Sequence, residues 1–247
     1  MVTYRIICLA AGIGERLRPL TYNTHKLLIE IQGKTVIEHL LDCFIYSKAE
    51  IDRVHIVIGH YGYKFRELLG NDYKGLKIQF LTNTLYKITG AAQSLYTAFN
   101  ILLKHPCIVL EADHYMNPKL MKKLINSKYE NCILVDEDIS RINFDEEVLA
   151  YGYGGLLQSL KWMPPYPHSP LGEALTIFKL SKAASNTLAS ILESYLLEDG
   201  STKREIIEPF NRLIKSHDMQ YIETNSREWI EIDFISDLEK ARKMKFE

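Results

Sequence analysis

The sequence predicts an α/β protein, with a mostly parallel sheet covered by helices on both faces. Three observations predict it. Short runs rich in β-branched residues alternate with segments whose apolar residues recur at helical spacing. The runs show little in/out alternation, as strands buried on both faces do. A glycine turn, Gly12-Ile13-Gly14, follows the first run directly, at the strand end where open α/β sheets hold ligands. The 247 residues are 47% hydrophobic and 25% charged, ordinary for a single globular domain with a sizeable core.

The elements follow in order. Arg5–Ala11, Arg53–Gly59, Leu76–Thr82, Pro106–Ala112 and Asn131–Asp136 read as strands. Between them Val36–Tyr46, Tyr63–Leu69, Ala91–Leu103 and Pro118–Ile125 read as helices. In the first of these, Val36, Ile37, Leu40, Leu41 and Phe44 share one face. Asn117-Pro118 is a helix start, with Asn as cap and Pro in the first turn. Tyr151 to Gly155 reads as a turn or bulge. Pro164, Pro165, Pro167 and Pro170, half of the chain's 8 prolines, mark a stiff irregular loop. Ala174–Leu180 reads as a strand, and Ser181–Leu197 and Lys203–Lys215 as helices. Met219–Thr224 and Trp229–Asp233 are strand-like, and Ser236–Met244 is a closing helix with Ser236 as cap and Glu239 three residues on.

Composition excludes several function classes. Thirty basic and 31 acidic side chains leave a formal net charge of -1, without the basic excess of a nucleic-acid binder. The apolar run Ile6 to Ala11 is too short for a membrane span or a signal-peptide core. The expected compartment is the cytoplasm, with no membrane partner. Cys8, Cys43, Cys107 and Cys132 sit singly in apolar stretches and read as buried reduced thiols.

The most informative segment runs from Leu9 to Thr21, Leu-Ala-Ala-Gly-Ile-Gly-Glu-Arg-Leu-Arg-Pro-Leu-Thr. Its glycines let backbone approach a ligand closely, and successive N–H groups in such a turn form an anion nest. Arg16 adds a bidentate donor suited to phosphate, and Lys26 a second cation. Arg16-Leu17 stands where a dinucleotide fingerprint needs its third glycine, and no Gly-Lys-Ser/Thr closes a P-loop.

This loop, with Lys26 and Gly33-Lys34, resembles the signature of the sugar-phosphate nucleotidyltransferase family. Three further motifs resemble it. Asn83-x-x-Tyr86-x-x-Thr89-Gly90-x-x-x-Ser94-Leu95 looks like the base-side loop and helix of the branch that handles phosphocholine and similar small phosphorylated alcohols. Glu111-Ala112-Asp113 occupies the place of the metal-binding acidic motif. Trp229 to Asp233, with Asp237 to Ala241, resembles the ending of the same branch. Two departures stand out. His25 precedes Lys26 where the family usually has proline, which frees φ and restores an N–H. The acidic motif begins with Glu111, not the more usual Asp, so the metal role falls chiefly to Asp113.

The resemblance implies a Rossmann-like three-layer α/β/α nucleotidyltransferase fold with a mostly parallel mixed sheet, one domain over residues 1–247. Residues 1–140 would bind nucleotide, 141–228 the acceptor, and 229–247 close the fold. It implies Mg²⁺-dependent transfer of a nucleotidyl group, most readily cytidylyl from CTP, to the phosphate or phosphonate of a small acceptor. A homodimer stays open. Arg16, Lys26, Asp113 and Asp233 would be catalytic, with Asp113 and Asp233 holding Mg²⁺. Leu9, Ala10, Ala11, Gly12, Gly14, Arg16, Asn83, Gly90 and Ser94 would bind nucleotide. Arg16 would hold the β- and γ-phosphates with the Gly12 and Gly14 amides. Lys26, Tyr153, Glu173 and Glu231 would face the acceptor.

Other readings stay open. A sugar-1-phosphate transferase using UTP or dTTP is one, and a non-catalytic nucleotide-sensing subunit is another. Tyr151, Tyr153, Trp162 and Tyr166 could form an aromatic cage for a quaternary ammonium, though packing of the insert ranks ahead. His114 reads as surface packing beside Asp113.

Overall fold

Ile6, Ile7 and Cys8 are consecutive, apolar and fully buried. A strand with no solvent face belongs inside a covered sheet, and β1 (Tyr4–Ala10) lies there. The computed structural model describes residues 2–141, 147–162, 169–198, 200, 202–225 and 227–246. Pro164, Pro165, Tyr166 and Pro167 fall outside the described residues.

After β1 come the two-residue strands β2 (Glu30–Ile31) and β3 (Lys34–Thr35), then α1 (Val36–Ser47), β4 (Ile51–Ile58) and α2 (Gly62–Leu69). Next are β5 (Asp72–Tyr73), β6 (Leu76–Thr82), α3 (Ala91–Tyr96), α4 (Phe99–Leu102) and β7 (Cys107–Glu111). The middle of the chain gives β8 (His114–Met116), α5 (Pro118–Ile125) and β9 (Cys132–Asp136). The remainder is β10 (Val148–Tyr153), β11 (Leu156–Trp162), β12 (Gly172–Leu180), α6 (Lys182–Leu197), α7 (Ile207–Ile214), β13 (Gln220–Thr224), β14 (Trp229–Glu231) and α8 (Ile235–Ala241).

The main sheet has the order β10-β11-β13-β9-β12-β7-β1-β4-β6-β5. Strands β7, β1, β4 and β6 are parallel neighbours. Strand β12 runs antiparallel to both β7 and β9, so the sheet is mixed. Beyond it the β10–β11 hairpin folds back, β10 pairing also with β12 through Leu149↔Glu173 and Ala150↔Gly172. One face packs on α1, α2, α5 and α8 through Leu40, Phe44, Phe65, Leu124 and Leu238. The other packs on α3, α4, α6 and α7 through Leu95, Leu102, Leu188 and Phe210. These are the three expected layers, and each fully buried large apolar side chain contributes roughly 1.5–3 kcal/mol.

The helix starts follow their caps. Thr35 and Glu38 form a capping box on α1, the Thr35 hydroxyl accepting from the Glu38 amide and the Glu38 carboxylate from the Thr35 amide. Asn117 caps α5 with Pro118 in its first turn. All four cysteines are buried and free.

Local details differ from the sequence reading. Strand β6 has only Ile78 buried, its other residues being half-buried or exposed, because it lies beside the edge strand β5. The helix expected over Ala91–Leu103 breaks into α3 and α4, the Thr97 hydroxyl donating to the Ser94 carbonyl at 2.7 Å. Helix α7 begins at Ile207, not Lys203, because the preceding backbone runs along α3: the Ala92 amide donates to the Arg204 carbonyl. In α8 the capping carboxylate is Asp237, which accepts from the Phe234 amide, and Ser236 lies inside the first turn. Tyr151–Gly155 holds both a bulge between Tyr151 and Gly152 and the hairpin turn.

Candidate active site

Strand β1 stops at Ala10, and the chain leaves the sheet through Ala11 to Gly14. Gly14 has φ +68°, the left-handed region that favours glycine. The Thr21 hydroxyl donates to its carbonyl at 2.7 Å, and buried Leu17 anchors the turn that follows. A second single turn, Lys26–Leu28, begins at His25, whose Nδ1 accepts from the Leu27 amide at 3.1 Å. This turn aims Lys26 back across the glycine loop.

Two acidic segments, distant in sequence, are then fastened together. Strand β14 pairs with β8, setting Glu231 opposite His114, and the Ile232 amide donates to the Asp113 carbonyl at 2.9 Å. Asp113 and Asp233 thereby reach one ammonium: Lys26 Nζ lies 2.6 Å from Asp113 Oδ2 and 2.7 Å from Asp233 Oδ1. Arg16 makes a further short ion pair with Asp233, and its guanidinium stands 5.1 Å from the Phe234 ring centre.

Burial disfavours the Lys26 ammonium, but Asp113, Asp233 and Glu231 together outweigh it and raise its pKa. Burial likewise works against the Asp113 carboxylate, yet Lys26 and His114 hold its pKa low. Glu111 is pushed up to about 8 by burial and by the Asp113 and Glu205 charges. Burial, then Asp113 and Asp233, raise Glu231 well above the usual carboxylate range.

The centre forms the wall between two cavities. The smaller, about 360 Å³, is lined by Leu9, Ala10, Ala11, Gly12 and Gly14, and by Lys26, Gly90, Ser94 and Asp113. The larger, about 690 Å³, is lined by Arg16, Glu173, Glu231 and Asp233, with Trp162 and Asp136 among others. Glu111 faces both. The glycine loop Leu9 to Gly14 thus forms one side of the smaller cavity, while acidic side chains are prominent around the larger.

Most of the residues singled out in the sequence converge here, with four corrections. Asn83 does not line the smaller cavity. Its amide nitrogen donates to Ser94 Oγ at 3.0 Å and Thr89 Oγ1 at 3.2 Å, and its oxygen accepts from the Leu85 amide, so it braces the loop. Tyr153 is 81% exposed on the hairpin turn and lies outside the larger cavity. Arg16 lines the larger cavity, not the one walled by Gly12 and Gly14. Gly90 lines the smaller cavity and also makes room for the chain itself, since a Cβ there would lie 2.3 Å from the Arg204 carbonyl. His114 is buried, not on the surface, its Nδ1 3.0 Å from the Glu111 carbonyl. Of the insert aromatics only Trp162 lines the cavity among the described residues, while Tyr166 lies outside them.

Several site residues gave no local signal. Glu205 reaches the smaller cavity and caps α3, its carboxylate accepting from the Ala91 amide. Asp136 is buried and accepts from Trp229 Nε1 at 2.8 Å, which locks the acidic ending against the sheet. Glu147 brings a carboxylate oxygen within 4.8 Å of those of Glu173 and Glu231, both singled out in the sequence.

Asp113, Glu231 and Asp233 likewise bring oxygens within 4.8 Å of one another, and Asp113 Oδ1 is buried without a hydrogen-bond partner. An oxygen-only set with an unsatisfied carboxylate oxygen fits a hard divalent cation.

Residues 5–153 match the nucleotidyl transferase family model. The chain is 27% identical to the CTP:phosphoglutamine cytidylyltransferase of Campylobacter jejuni, over 94% of this chain and 97% of that protein. It is 32% identical to the choline-phosphate cytidylyltransferase of Streptococcus pneumoniae, over 51% of this chain and 52% of that one. Its fold is similar to that of a UDP-glucose pyrophosphorylase solved with UDP-glucose, with TM-score 0.80 at 14% identity, over 98% of both chains.

Proposed function

Because the chain belongs to the nucleotidyl transferase family, we propose that it transfers a cytidylyl group from CTP to a small phosphorylated or phosphonylated acceptor, releasing pyrophosphate. Phosphocholine, aminoethylphosphonate, a phosphorylated amino acid or a phosphorylated polyol are the acceptors this reading includes. The observation that carries it is the Lys26 ammonium between Asp113 and Asp233, where the cavity beside the glycine loop meets the acidic one. The cytidylyltransferases among the relatives support the choice of base.

CTP occupies the smaller cavity, its phosphates against the glycine-loop amides, which donate to anions. The acceptor occupies the larger one. A phosphomonoester has a second pKa of about 6, so its attacking oxygen is already ionised near pH 7. No general base is needed. That oxygen forms a bond to the α-phosphorus, the bond from the α-phosphorus to the α,β-bridging oxygen breaks, and its electron pair leaves with pyrophosphate. Catalysis consists of holding two anions in line and screening their repulsion. Lys26 stands between Asp113 and Asp233 where the two cavities meet, and its raised pKa keeps it cationic. Asp113 and Asp233 would hold Mg²⁺, which supplies charge neutralisation between the two phosphates when bound.

The test is pyrophosphate release with Mg²⁺, crossing CTP, UTP, dTTP, ATP and GTP with phosphorylated amines, alcohols, amino acids and sugars. Release confined to CTP and one small acceptor is expected. Release with UTP or dTTP and a sugar 1-phosphate would overturn the choice of base and acceptor. Silence with all nucleotides, and no nucleotide binding, would overturn the reading of the glycine loop.

A further inference from the structure

His25 occupies the position where the family resemblance leads one to expect proline. Proline has no N–H and a fixed φ; it stiffens a turn but makes no side-chain hydrogen bond. The imidazole has different capabilities. The side chain is 1% exposed, packed edge-on against the fully buried Phe65 ring of α2 at 4.9 Å. Nδ1 accepts from the Leu27 amide at 3.1 Å, which fixes the neutral ring as the Nε2–H tautomer. Nε2 is buried and makes no hydrogen bond. The nearby Gly12 backbone favours the protonated ring without being hydrogen-bonded to it, and both residues line the smaller cavity. Burial first, then the Lys26 and His60 charges, push the imidazole pKa down to about 3. A buried donor without a partner costs about 1–3 kcal/mol, so a small shift of the loop that closed this contact would be favourable.

We propose that His25 is a positioning residue that couples the glycine loop to Lys26, one imidazole accepting from the Leu27 amide and donating to the Gly12 carbonyl when nucleotide draws the loop in. Phosphates that bind the loop amides pull on Gly12. His25 passes that displacement to the turn carrying Lys26, whose amide neighbour Leu27 it already holds. A proline at this position could hold only one of the two segments. The inference rests on the nucleotide reading of the glycine loop.

Three variants of the full chain separate the two ring nitrogens. His25→Asn keeps an acceptor near Nδ1 but does not reach Gly12. His25→Gln keeps a donor near Nε2. His25→Ala removes both. Each is measured for CTP binding by calorimetry with Mg²⁺, for turnover by pyrophosphate release, and for thermal midpoint. Loss of one hydrogen bond corresponds to about a tenfold effect. We expect His25→Asn to keep the wild-type midpoint yet bind CTP about tenfold more weakly, with His25→Gln recovering most of that binding. The wild-type ring should show the neutral Nε2–H tautomer by ¹⁵N NMR at pH 5, with a shifted Nε2–H on adding CTP and Mg²⁺. Unchanged CTP affinity in all three variants, with wild type binding CTP, would overturn the inference alone. So would losses that simply follow the fall in midpoint, or a ring protonated at pH 5. A wild type that binds no nucleotide would overturn the glycine-loop reading as well.

Discussion

The two halves of the sheet build their cavities in different ways. The parallel run β7-β1-β4-β6 ends in loops, and its cavity has the glycine loop, Leu9 to Gly14, along one side. The antiparallel part, β9, β12 and the β10–β11 hairpin, surrounds a cavity lined by carboxylates from separate elements, among them Glu173 and Glu231. A backbone site constrains composition tightly, because only certain residues permit the loop conformation and the close approach. A side-chain site constrains only the residues that reach it. The contrast teaches that a loop site is held by the conformation of one segment, and a side-chain site by residues that several elements deliver.

The largest test of that division lies in the wall between the halves. Asp113→Asn or Asp233→Asn removes half of the charge pair around Lys26, and should lower kcat by about 10²-fold or more without unfolding. Wild-type kinetics in either variant would remove that residue from the centre. Arg16→Ala comes next. Because Arg16 faces the larger cavity, it should raise the acceptor KM by about tenfold, more than the CTP KM, as loss of a charged hydrogen bond does. A change confined to CTP would move Arg16 to the other half.

Glu173→Gln should be milder in kinetics and clearer in stability. Burial and the Glu147 carboxylate raise the Glu173 pKa from the ordinary 4.5 to about 9. Between those values the folded protein holds a proton that the unfolded chain has lost. Folding stability from this group therefore falls as pH rises. The wild type should lose thermal midpoint relative to Glu173→Gln as pH is raised from 5 to 9, and parallel curves would show that Glu173 ionises normally. The smallest effect is expected of Tyr153→Ala. With the ring 81% exposed on the hairpin turn, stability should change by no more than about 0.5 kcal/mol and acceptor KM should stay constant. A raised KM would bring the hairpin into the acceptor site.

The same contrast explains what the sequence discloses. The glycine loop, Lys26 and the Asn117-Pro118 helix start are readable because each is a local solution to a local demand: a left-handed residue, an anion nest, a cap. The acidic motifs are readable as motifs, but their meeting depends on the β8–β14 ladder. Asn83 shows the limit. Its residue type suits a ligand contact, yet its hydrogen bonds go to Ser94, Thr89 and Leu85, and only the fold decides which partners arrive. Glu205 was hidden inside a stretch with helical spacing, because the departure of that backbone from helix depends on α3. The hairpin β10–β11 went unread as strands because its bulge and Gly154-Gly155 interrupt the alternation.

The β8–β14 ladder also sets the order in which the molecule is completed. It joins residues 114–116 to residues 229–231, a contact of high sequence separation whose formation requires a long loop to close. During synthesis the glycine loop and the parallel strands are available long before Asp233 emerges from the ribosome. A nascent chain holding only the first half carries the glycine loop but lacks one of the two aspartates around Lys26, so this charge cluster is complete only once the β8–β14 ladder has formed.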